Sequence, residues 1–121
     1  MKILIMDDEA PIRRFIVQAL KPLGYQLLEA SDGREAIALG LRENPEIALL
    51  DIRVPEKDGI EVLAELKKNN PAIVGIVMSG FADEDVQQQV GEMGAFAFLV
   101  KPFELKIMLE KIQEAVKFLS S

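Results

Sequence analysis

Five short apolar runs alternate with longer amphipathic stretches along the chain, and this alternation restricts the possible folds more than any other feature. Most of the runs are almost wholly apolar, as is typical of strands that are covered on both faces. Each run is also shorter than an ordinary helix. The sequence therefore predicts five strands of a buried sheet, over Ile3–Met6, Tyr25–Glu29, Ile47–Leu50, Ile73–Met78 and Phe96–Val100.

The segments between these runs carry apolar residues at helical spacing and have recognisable helix ends. Proline favours a first helical turn, glycine favours the end of a helix, and aspartate or serine favours the N-cap. The last helix is the clearest, and the fourth is a poor one that contains three glutamines and a glycine. The predicted helices run from Pro11 to Gly24, from a cap at Ser31 or Asp32 to about Asn44, onward from a cap at Asp58, over Asp83–Met93 and over Leu105–Leu119.

This order of elements predicts an α/β fold of five βα units. Right-handed crossovers place helices on both faces of a parallel sheet. We expect the flavodoxin-like doubly wound arrangement with strand order 2-1-3-4-5. The 121 residues fit one domain over positions 1–121.

Composition excludes several classes of protein. A net charge of −6 argues against a nucleic-acid-binding surface, which needs clustered lysine and arginine. The chain has no cysteine and no histidine, so it cannot form disulfides or histidine-based zinc and acid–base sites. Its apolar N-terminal run is too short for a signal peptide, and no stretch approaches the length of a membrane span. We expect a cytoplasmic protein without a membrane association.

Polar side chains follow several predicted strands at the point where each strand ends. Asp7 and Asp8 follow the first strand, Asp51 the third, Ser79 the fourth and Lys101 the fifth. In doubly wound sheets the ligand crevice lies at the carboxyl ends of the strands where the order reverses, here strands 1 and 3. The fold therefore predicts that these side chains converge at one edge of the sheet.

Three carboxylates in one pocket repel one another unless a cation neutralises them. Mg²⁺ prefers oxygen ligands, and carboxylates with a backbone carbonyl suit it. A carboxylate can also attack phosphorus, a reaction that needs positioning and positive charge more than acid–base work. Each residue group alone has a simpler interpretation, because acids after a strand often cap a helix or form a turn. Their joint position at strand ends favours a magnesium-dependent phosphoryl site, with Lys101 and Ser79 contacting phosphoryl oxygens.

The same motifs closely resemble the receiver domain of two-component response regulators. The resemblance covers essentially the whole chain, with the motifs in the order and at the spacing typical of that family. The matching residues are Asp7-Asp8-Glu9, Asp51 followed by Pro55 and Asp58-Gly59, Met78-Ser79-Gly80, and Lys101-Pro102-Phe103.

This resemblance implies a role for each site residue. Asp51 would be the phosphoacceptor. Asp8 and Asp51 would bind Mg²⁺ directly, Asp7 mainly through water, and Arg53 through its backbone carbonyl. Ser79 and Lys101 would contact the phosphoryl group, and the Lys101–Pro102 bond would be cis. Ser79 and Phe98 would form the switch, although Phe98 replaces a frequent tyrosine and can act only by packing.

The implied function is a phosphorylation-activated signalling switch that turns over no external substrate. A sensor histidine kinase or a histidine phosphotransfer protein would supply the phosphoryl group. The output would be a downstream protein, or a second copy of the chain, bound to the face formed by helix 4, strand 5 and helix 5. On helix 5, Ile107 and Phe118 are predicted to point away from Leu109 and Ile112.

Three other functions share parts of this residue pattern. A haloacid-dehalogenase-type phosphatase needs a second aspartate two residues after the nucleophile, where this chain has Arg53. A flavin-binding protein needs a hydroxyl- and glycine-rich loop after strand 1, where the sequence is Asp-Asp-Glu-Ala-Pro. A phosphorylation-independent, receiver-like binding module remains the alternative, although such domains usually lack an acid or the lysine.

Overall fold

The chain forms a five-stranded parallel sheet with helices on both of its faces. This computed structural model describes residues 1–53, 58–80 and 84–121, and only the backbone of 84–86. The strands are β1 (Lys2–Met6), β2 (Gln26–Ala30), β3 (Ile47–Asp51), β4 (Val74–Ser79) and β5 (Ala97–Val100). Their order in the sheet is β2-β1-β3-β4-β5, and the paired strands are parallel, as predicted. The helices are α1 (Ala10–Leu20), α2 (Gly33–Glu43), α3 (Gly59–Asn69), α4 (Glu84–Glu92) and α5 (Leu105–Leu119).

Several element ends differ from their predicted positions by a few residues. Helix α1 ends at Leu20, and the residues up to Leu23 form a 3-10 turn. Pro22 has no N–H group for an α-helical bond, so the tighter turn follows from its ring. Gly24 then ends this turn at a φ of +86°, a conformation that glycine adopts without strain. The predicted positions Pro55 and Asp83 lie outside the described residues.

Where a strand end differs from its predicted position, the displacement is one residue. Strand β2 begins and ends one residue later than predicted, and β4 does the same. Ile73 still belongs to the turn after α3, because its N–H donates to the Asn70 carbonyl. Strand β3 includes Asp51, so the side chain proposed as phosphoacceptor stands on the last residue of a buried strand.

Two predicted caps are present as side-chain hydrogen bonds. Of the two candidates for α2, Asp32 is the N-cap, and its Oδ1 accepts from the Glu35 N–H at 2.8 Å. Glu35 in turn accepts from the Ser31 N–H at 3.1 Å, one residue before the N-cap, so its side chain satisfies a second backbone donor at the start of the helix. Asp58 caps α3 by accepting from the Glu61 N–H at 2.9 Å.

Alternating strand residues divide the core into two layers. One layer lies under α1 and α5, and the other lies under α2, α3 and α4. Strand residues that are completely buried in the first layer include Ile3, Ile5, Ile47, Leu49 and Ile76. Those in the second include Leu4, Met6, Ala48, Leu50 and Val77. Burial on both faces explains why the runs are apolar throughout instead of alternating with polar residues.

In the part of the chain that the structure describes, no helix has the length and apolarity to cross a membrane.

Candidate functional site

Strand geometry brings Asp7, Asp51 and Lys101 to the same face of the sheet at its carboxyl edge. Side chains alternate along a strand, so residues two positions apart share a face. Ile5, Leu49 and Leu99 belong to the core layer under α1 and α5. Two residues beyond them come Asp7, Asp51 and Lys101.

The first acid is held rigidly in the turn between β1 and α1. Asp7 is completely buried, and its N–H donates to the Ala30 carbonyl of the neighbouring strand β2 at 3.1 Å. Its Oδ1 accepts from the Glu9 N–H at 2.9 Å. Asp8, between them, is exposed and directs an oxygen toward the same cluster. This turn therefore offers one buried carboxylate and one open to solvent.

Lys101 bridges the two buried carboxylates. Its Nζ lies 2.6 Å from Asp7 Oδ2 and 2.8 Å from Asp51 Oδ2. The more exposed Glu9 carboxylate is 3.8 Å from the same nitrogen. Only 14% of the lysine side chain is exposed, so these contacts are poorly screened by water. One ammonium thus compensates part of the negative charge of three carboxylates.

Burial raises the pKa of the Asp51 carboxyl above its ordinary value, because desolvation disfavours the charged form. Hydrogen bonds from Lys101 and from the Arg53 N–H oppose this effect, and the Asp7 charge adds to it. Burial also works against the charged form of Lys101, but its bonds to Asp51 and Asp7 prevail and raise the pKa of its ammonium. The lysine therefore remains charged at neutral pH, while the acid cluster keeps an excess of negative charge.

The cluster has the dimensions of a site for a hard divalent cation. Asp7, Asp8, Glu9 and Asp51 each place one carboxylate oxygen within 4.8 Å of the others. Oxygens around an octahedral Mg²⁺ are separated by about 2.9 Å when adjacent and about 4.2 Å when opposite, given bonds of roughly 2.0–2.1 Å. The donor set is all oxygen and strongly negative, as Mg²⁺ prefers. These residues fit Mg²⁺, the ion that the sequence predicts.

Strand parity places the two residues predicted to form the switch, Ser79 and Phe98, on the side of the sheet that carries α4. Ser79 is 2% exposed at the end of β4, and strand parity puts it on the side of Val77, in the layer under α3 and α4. Phe98 pairs with Val77 in register and packs half-buried in that layer, which also contains Val90 of α4. Ser79 directly follows Met78, the register partner of Asp51, so it lies at the same carboxyl edge of the sheet as the acids and Lys101.

The remaining predicted residues flank Asp51 and Lys101. The exposed Arg53 donates its backbone N–H to Asp51 Oδ1 at 3.1 Å, which fixes the turn after β3. The Lys101–Pro102 peptide bond is cis. The Lys101 N–H donates to the Ser79 carbonyl at 2.7 Å, so the ends of β4 and β5 are tied together beside the site.

Gly59 fixes the distance between the start of α3 and the end of β3. A Cβ at this position would lie 2.5 Å from the Asp51 carbonyl oxygen and 2.9 Å from its carbonyl carbon. The Gly59 N–H also donates to the Ile52 carbonyl at 3.0 Å. Because the obstructing atoms belong to the backbone, a larger residue can be accommodated only by displacing the turn that carries Asp51.

We therefore expect Gly59→Ala to lower the free energy of unfolding by about 2 kcal/mol, as overpacking a core does. Urea unfolding of the metal-free protein measures the change. Gly91→Ala is the matched control, because its Cβ would meet nothing within 4 Å and alanine is the better helix former. Equal stability of Gly59→Ala and the wild type would contradict the close approach.

Sequence reasoning missed two residues at this edge. Glu9 enters the sequence pattern only as part of a motif, yet its carboxylate belongs to the acid cluster. Arg13 has no role in that pattern, yet its Nη1 donates to the Asp7 carbonyl oxygen at 2.6 Å. The sequence does offer a signal for Arg13. This charged residue comes five positions after Asp8, on a helix whose inner side is otherwise apolar. Its partner, however, is a backbone oxygen, which no residue pattern reveals.

Comparison with known proteins agrees with this geometry. The family model of the response regulator receiver domain matches residues 3–113. The chain therefore belongs to the response regulator receiver domain family of two-component signalling systems. Its fold is the one found in CheY-like proteins of that family.

Two curated relatives illustrate the range of proteins that carry this domain. Sporulation initiation phosphotransferase F of Bacillus subtilis is 35% identical over 116 residues, covering 96% of this chain and 90% of that protein. The transcriptional regulatory protein PdtaR of Mycobacterium tuberculosis is 34% identical over 116 residues. The chain matches 56% of the length of PdtaR, so it spans only about half of that relative.

Solved structures give the same result. A CheY-like receiver domain from Methanospirillum hungatei superposes with a TM-score of 0.91 at 32% identity, covering 96% of this chain and 93% of that one. A structure of the CheX–CheY–BeF3–Mg²⁺ complex from Borrelia burgdorferi contains a chain that matches with a TM-score of 0.90 at 26% identity. The match covers 96% of this chain and 89% of that one.

Proposed function

We propose that this receiver domain is a signalling switch that accepts a phosphoryl group on Asp51 in a Mg²⁺-dependent reaction. The observation that carries the proposal is the acid cluster bridged by Lys101, at the carboxyl edge where strands 1 and 3 meet. The phosphodonor would be the phosphohistidine of a sensor kinase or of a phosphotransfer protein. Family membership supports this class of donor.

The proposed reaction is a direct transfer between two side chains. A carboxylate oxygen of Asp51 attacks the phosphorus, and the bond from phosphorus to the donor's imidazole nitrogen breaks as the new bond forms. The second ring nitrogen of the donor phosphohistidine carries a proton, so the imidazole leaves as a neutral ring and the product on this chain is a mixed anhydride at Asp51. A Mg²⁺ ion held by Asp8 and Asp51, with Asp7 acting through water, would supply positive charge for the phosphoryl oxygens.

The residues of the chain supply positioning and the remaining charge. The Arg53 N–H on Asp51 Oδ1 orients the carboxylate, and Lys101 already lies on Oδ2, from which it can reach an oxygen of the incoming group. The Ser79 hydroxyl, buried at the end of the adjacent strand, is the proposed donor to another phosphoryl oxygen. The site is then one in which pre-oriented donors stabilise the charge that develops during transfer.

The output surface is proposed on the side of α4, β5 and α5. Phe98 packs in the same layer as Val90 of α4, so a movement of Ser79 toward a phosphoryl group can change the packing of that helix. Val100, Leu105 and Ile107 on this side are each about 40% exposed, which is typical of a partner-binding surface. A downstream protein or a second copy of the chain would bind there.

Phosphorylation by a small-molecule donor tests the proposal. The wild type, incubated with acetyl phosphate and Mg²⁺, should gain the mass of one phosphoryl group, and none when EDTA removes the metal. Asp8→Ala should weaken Mg²⁺ binding and slow the reaction together, because it removes one carboxylate of the cluster. Labelling that is equally fast with EDTA, or an Asp8→Ala variant with unchanged Mg²⁺ affinity, would contradict the proposed site.

A further inference from the structure

The Arg13 guanidinium connects the acid turn to the neighbouring strand. Its Nη1 donates to the Asp7 carbonyl oxygen at 2.6 Å, and its Nε donates to Glu29 Oε1 of β2 at 3.2 Å. The arginine side chain is 20% exposed, so the guanidinium is largely shielded although it lies near the surface. Arginine can make both contacts at once because its N–H donors lie in one rigid plane.

The bonded carbonyl belongs to the peptide that joins two residues of the acid cluster. A peptide unit is planar, so fixing the direction of the Asp7 carbonyl also fixes the N–H and Cα of Asp8. The direction of the exposed Asp8 carboxylate therefore depends on the contact made by Arg13. The Asp7 N–H is bonded to the Ala30 carbonyl, so the turn is held from both of its ends.

We propose that Arg13 is a positioning residue that holds the Asp7–Asp8 turn in the shape that binds the divalent cation. The inference rests on the proposed function, because it assumes that this cluster is the metal site. Arg13 touches neither the phosphoacceptor carboxylate nor the phosphoryl group, and it acts through the backbone of Asp7. Groups that orient metal ligands in this way commonly change metal affinity by about ten- to a hundredfold.

The direction in which Mg²⁺ affinity changes on substitution of Arg13 distinguishes a positioning role from a purely electrostatic one. Arg13 carries a positive charge close to an acid cluster, so electrostatics alone predicts that its removal strengthens cation binding. Positioning predicts the opposite result, a weaker site. Arg13→Lys adds a second distinction, because lysine keeps the charge but cannot make the same paired contacts to Asp7 and Glu29.

The experiment compares four proteins by NMR titration with MgCl2 at constant ionic strength. They are the wild type, Arg13→Lys, Arg13→Gln and Arg14→Gln, the last being a matched control at an exposed neighbouring arginine. Both Arg13 variants should bind Mg²⁺ about tenfold more weakly than the wild type. Arg14→Gln should bind at least as tightly as the wild type, since it removes only a distant positive charge.

A second readout uses the metal-free protein and does not depend on Mg²⁺. The Asp7 N–H donates to the Ala30 carbonyl of β2, and the Glu9 N–H donates to Asp7 Oδ1. Amide hydrogen exchange at both positions should become several-fold faster in both Arg13 variants. Exchange at Ile52 and Val62 should stay unchanged, because their N–H groups donate to the Met78 carbonyl of β4 and to the carbonyl of Asp58, the N-cap of α3. These amides also report whether each variant remains folded.

The outcomes separate failure of this inference from failure of the proposed function. If the wild type binds Mg²⁺ and both Arg13 variants bind it equally well or better, Arg13 does not position the turn. Unchanged exchange at Asp7 and Glu9 would overturn the inference in the same way. If the wild type binds no Mg²⁺ at the cluster, the proposed function fails, and the inference fails with it.

Discussion

Asp51→Asn should take up no phosphoryl group under conditions in which the wild type is modified once per molecule. The amide has no ionised oxygen for attack on phosphorus, and the other buried acid of the site, Asp7, is held by Lys101 and by the Glu9 N–H. Intact-mass spectrometry after incubation with acetyl phosphate and Mg²⁺ measures the result. Normal labelling of the variant would show that Asp51 is not the acceptor.

The variant must also be shown to fold. Burial raises the pKa of Asp51, so in the metal-free protein the folded state binds its proton more tightly than the unfolded state does. Stability therefore falls as pH rises toward and through this raised pKa. Removing the charge should leave the free energy of unfolding at pH 7 equal or higher. Asp32→Asn is the matched control, because it makes the same change at a distant N-cap where asparagine also functions.

Lys101→Met should produce the second large effect, with opposite consequences for metal binding and for chemistry. The substitution leaves the buried Asp7 and Asp51 carboxylates without their ammonium partner. Breaking a buried ion pair in this way destabilises the metal-free fold by about 3 kcal/mol. Because the lysine no longer competes for the same oxygens, Mg²⁺ should bind more tightly and should restore much of the lost stability.

The rate of phosphorylation should nevertheless fall by about a hundredfold, as it does when one pre-oriented donor to a reacting group is removed. Urea melts with and without Mg²⁺, together with the rate of mass gain, separate these effects. Lys106→Met, at an exposed position on α5, controls for the loss of a lysine elsewhere. Weaker Mg²⁺ binding by Lys101→Met, or an unchanged rate, would contradict the role given to the lysine.

The sequence was sufficient to predict the fold and the convergence of the acids and Lys101 at one edge of the sheet. Doubly covered strands require continuous apolar runs, and the runs ended in the acids and the lysine that the structure brings together. The position of Asp51 at the end of β3 follows from one such run. The alternation of elements and the right-handed crossover predicted a parallel, doubly wound sheet, and the observed strand order is the flavodoxin-like one expected for it.

Individual contacts between segments that are far apart in the chain could not be predicted. Lys101 bridges residues 94 and 50 positions away, which no local pattern encodes. The contact of Arg13 with a carbonyl, and the approach of Gly59 to the Asp51 backbone, depend on the final packing of α1 and α3.

The exposed residues of α5 were predicted only in part. Ile107 and Phe118 are 39% and 59% exposed, as the helical spacing indicated. The Phe118 ring, however, packs against the Phe96 ring, and the two ring centroids are 5.4 Å apart. Phe96 directly precedes β5, so this contact lies at the amino edge of the sheet, whereas Asp51 lies at the carboxyl edge. Of the two residues, Ile107 alone lies in the turn of α5 nearest to the site. The helical period fixes the side of a helix but not the neighbour that covers it.

The central claim, that a phosphoryl group on Asp51 alters a distant binding face, is tested most directly by NMR with the phosphoryl mimic beryllofluoride and Mg²⁺. We expect backbone amide shifts around Asp51, from Gly80 to Phe103 and on the exposed side of α5 near Ile107, with Glu35–Arg42 of α2 nearly unchanged. The same additions to Asp51→Asn should leave the α4–β5–α5 signals in place. Shifts confined to the immediate neighbours of Asp51 in the wild type would contradict the coupling, and a response of Asp51→Asn equal to that of the wild type would contradict the site itself.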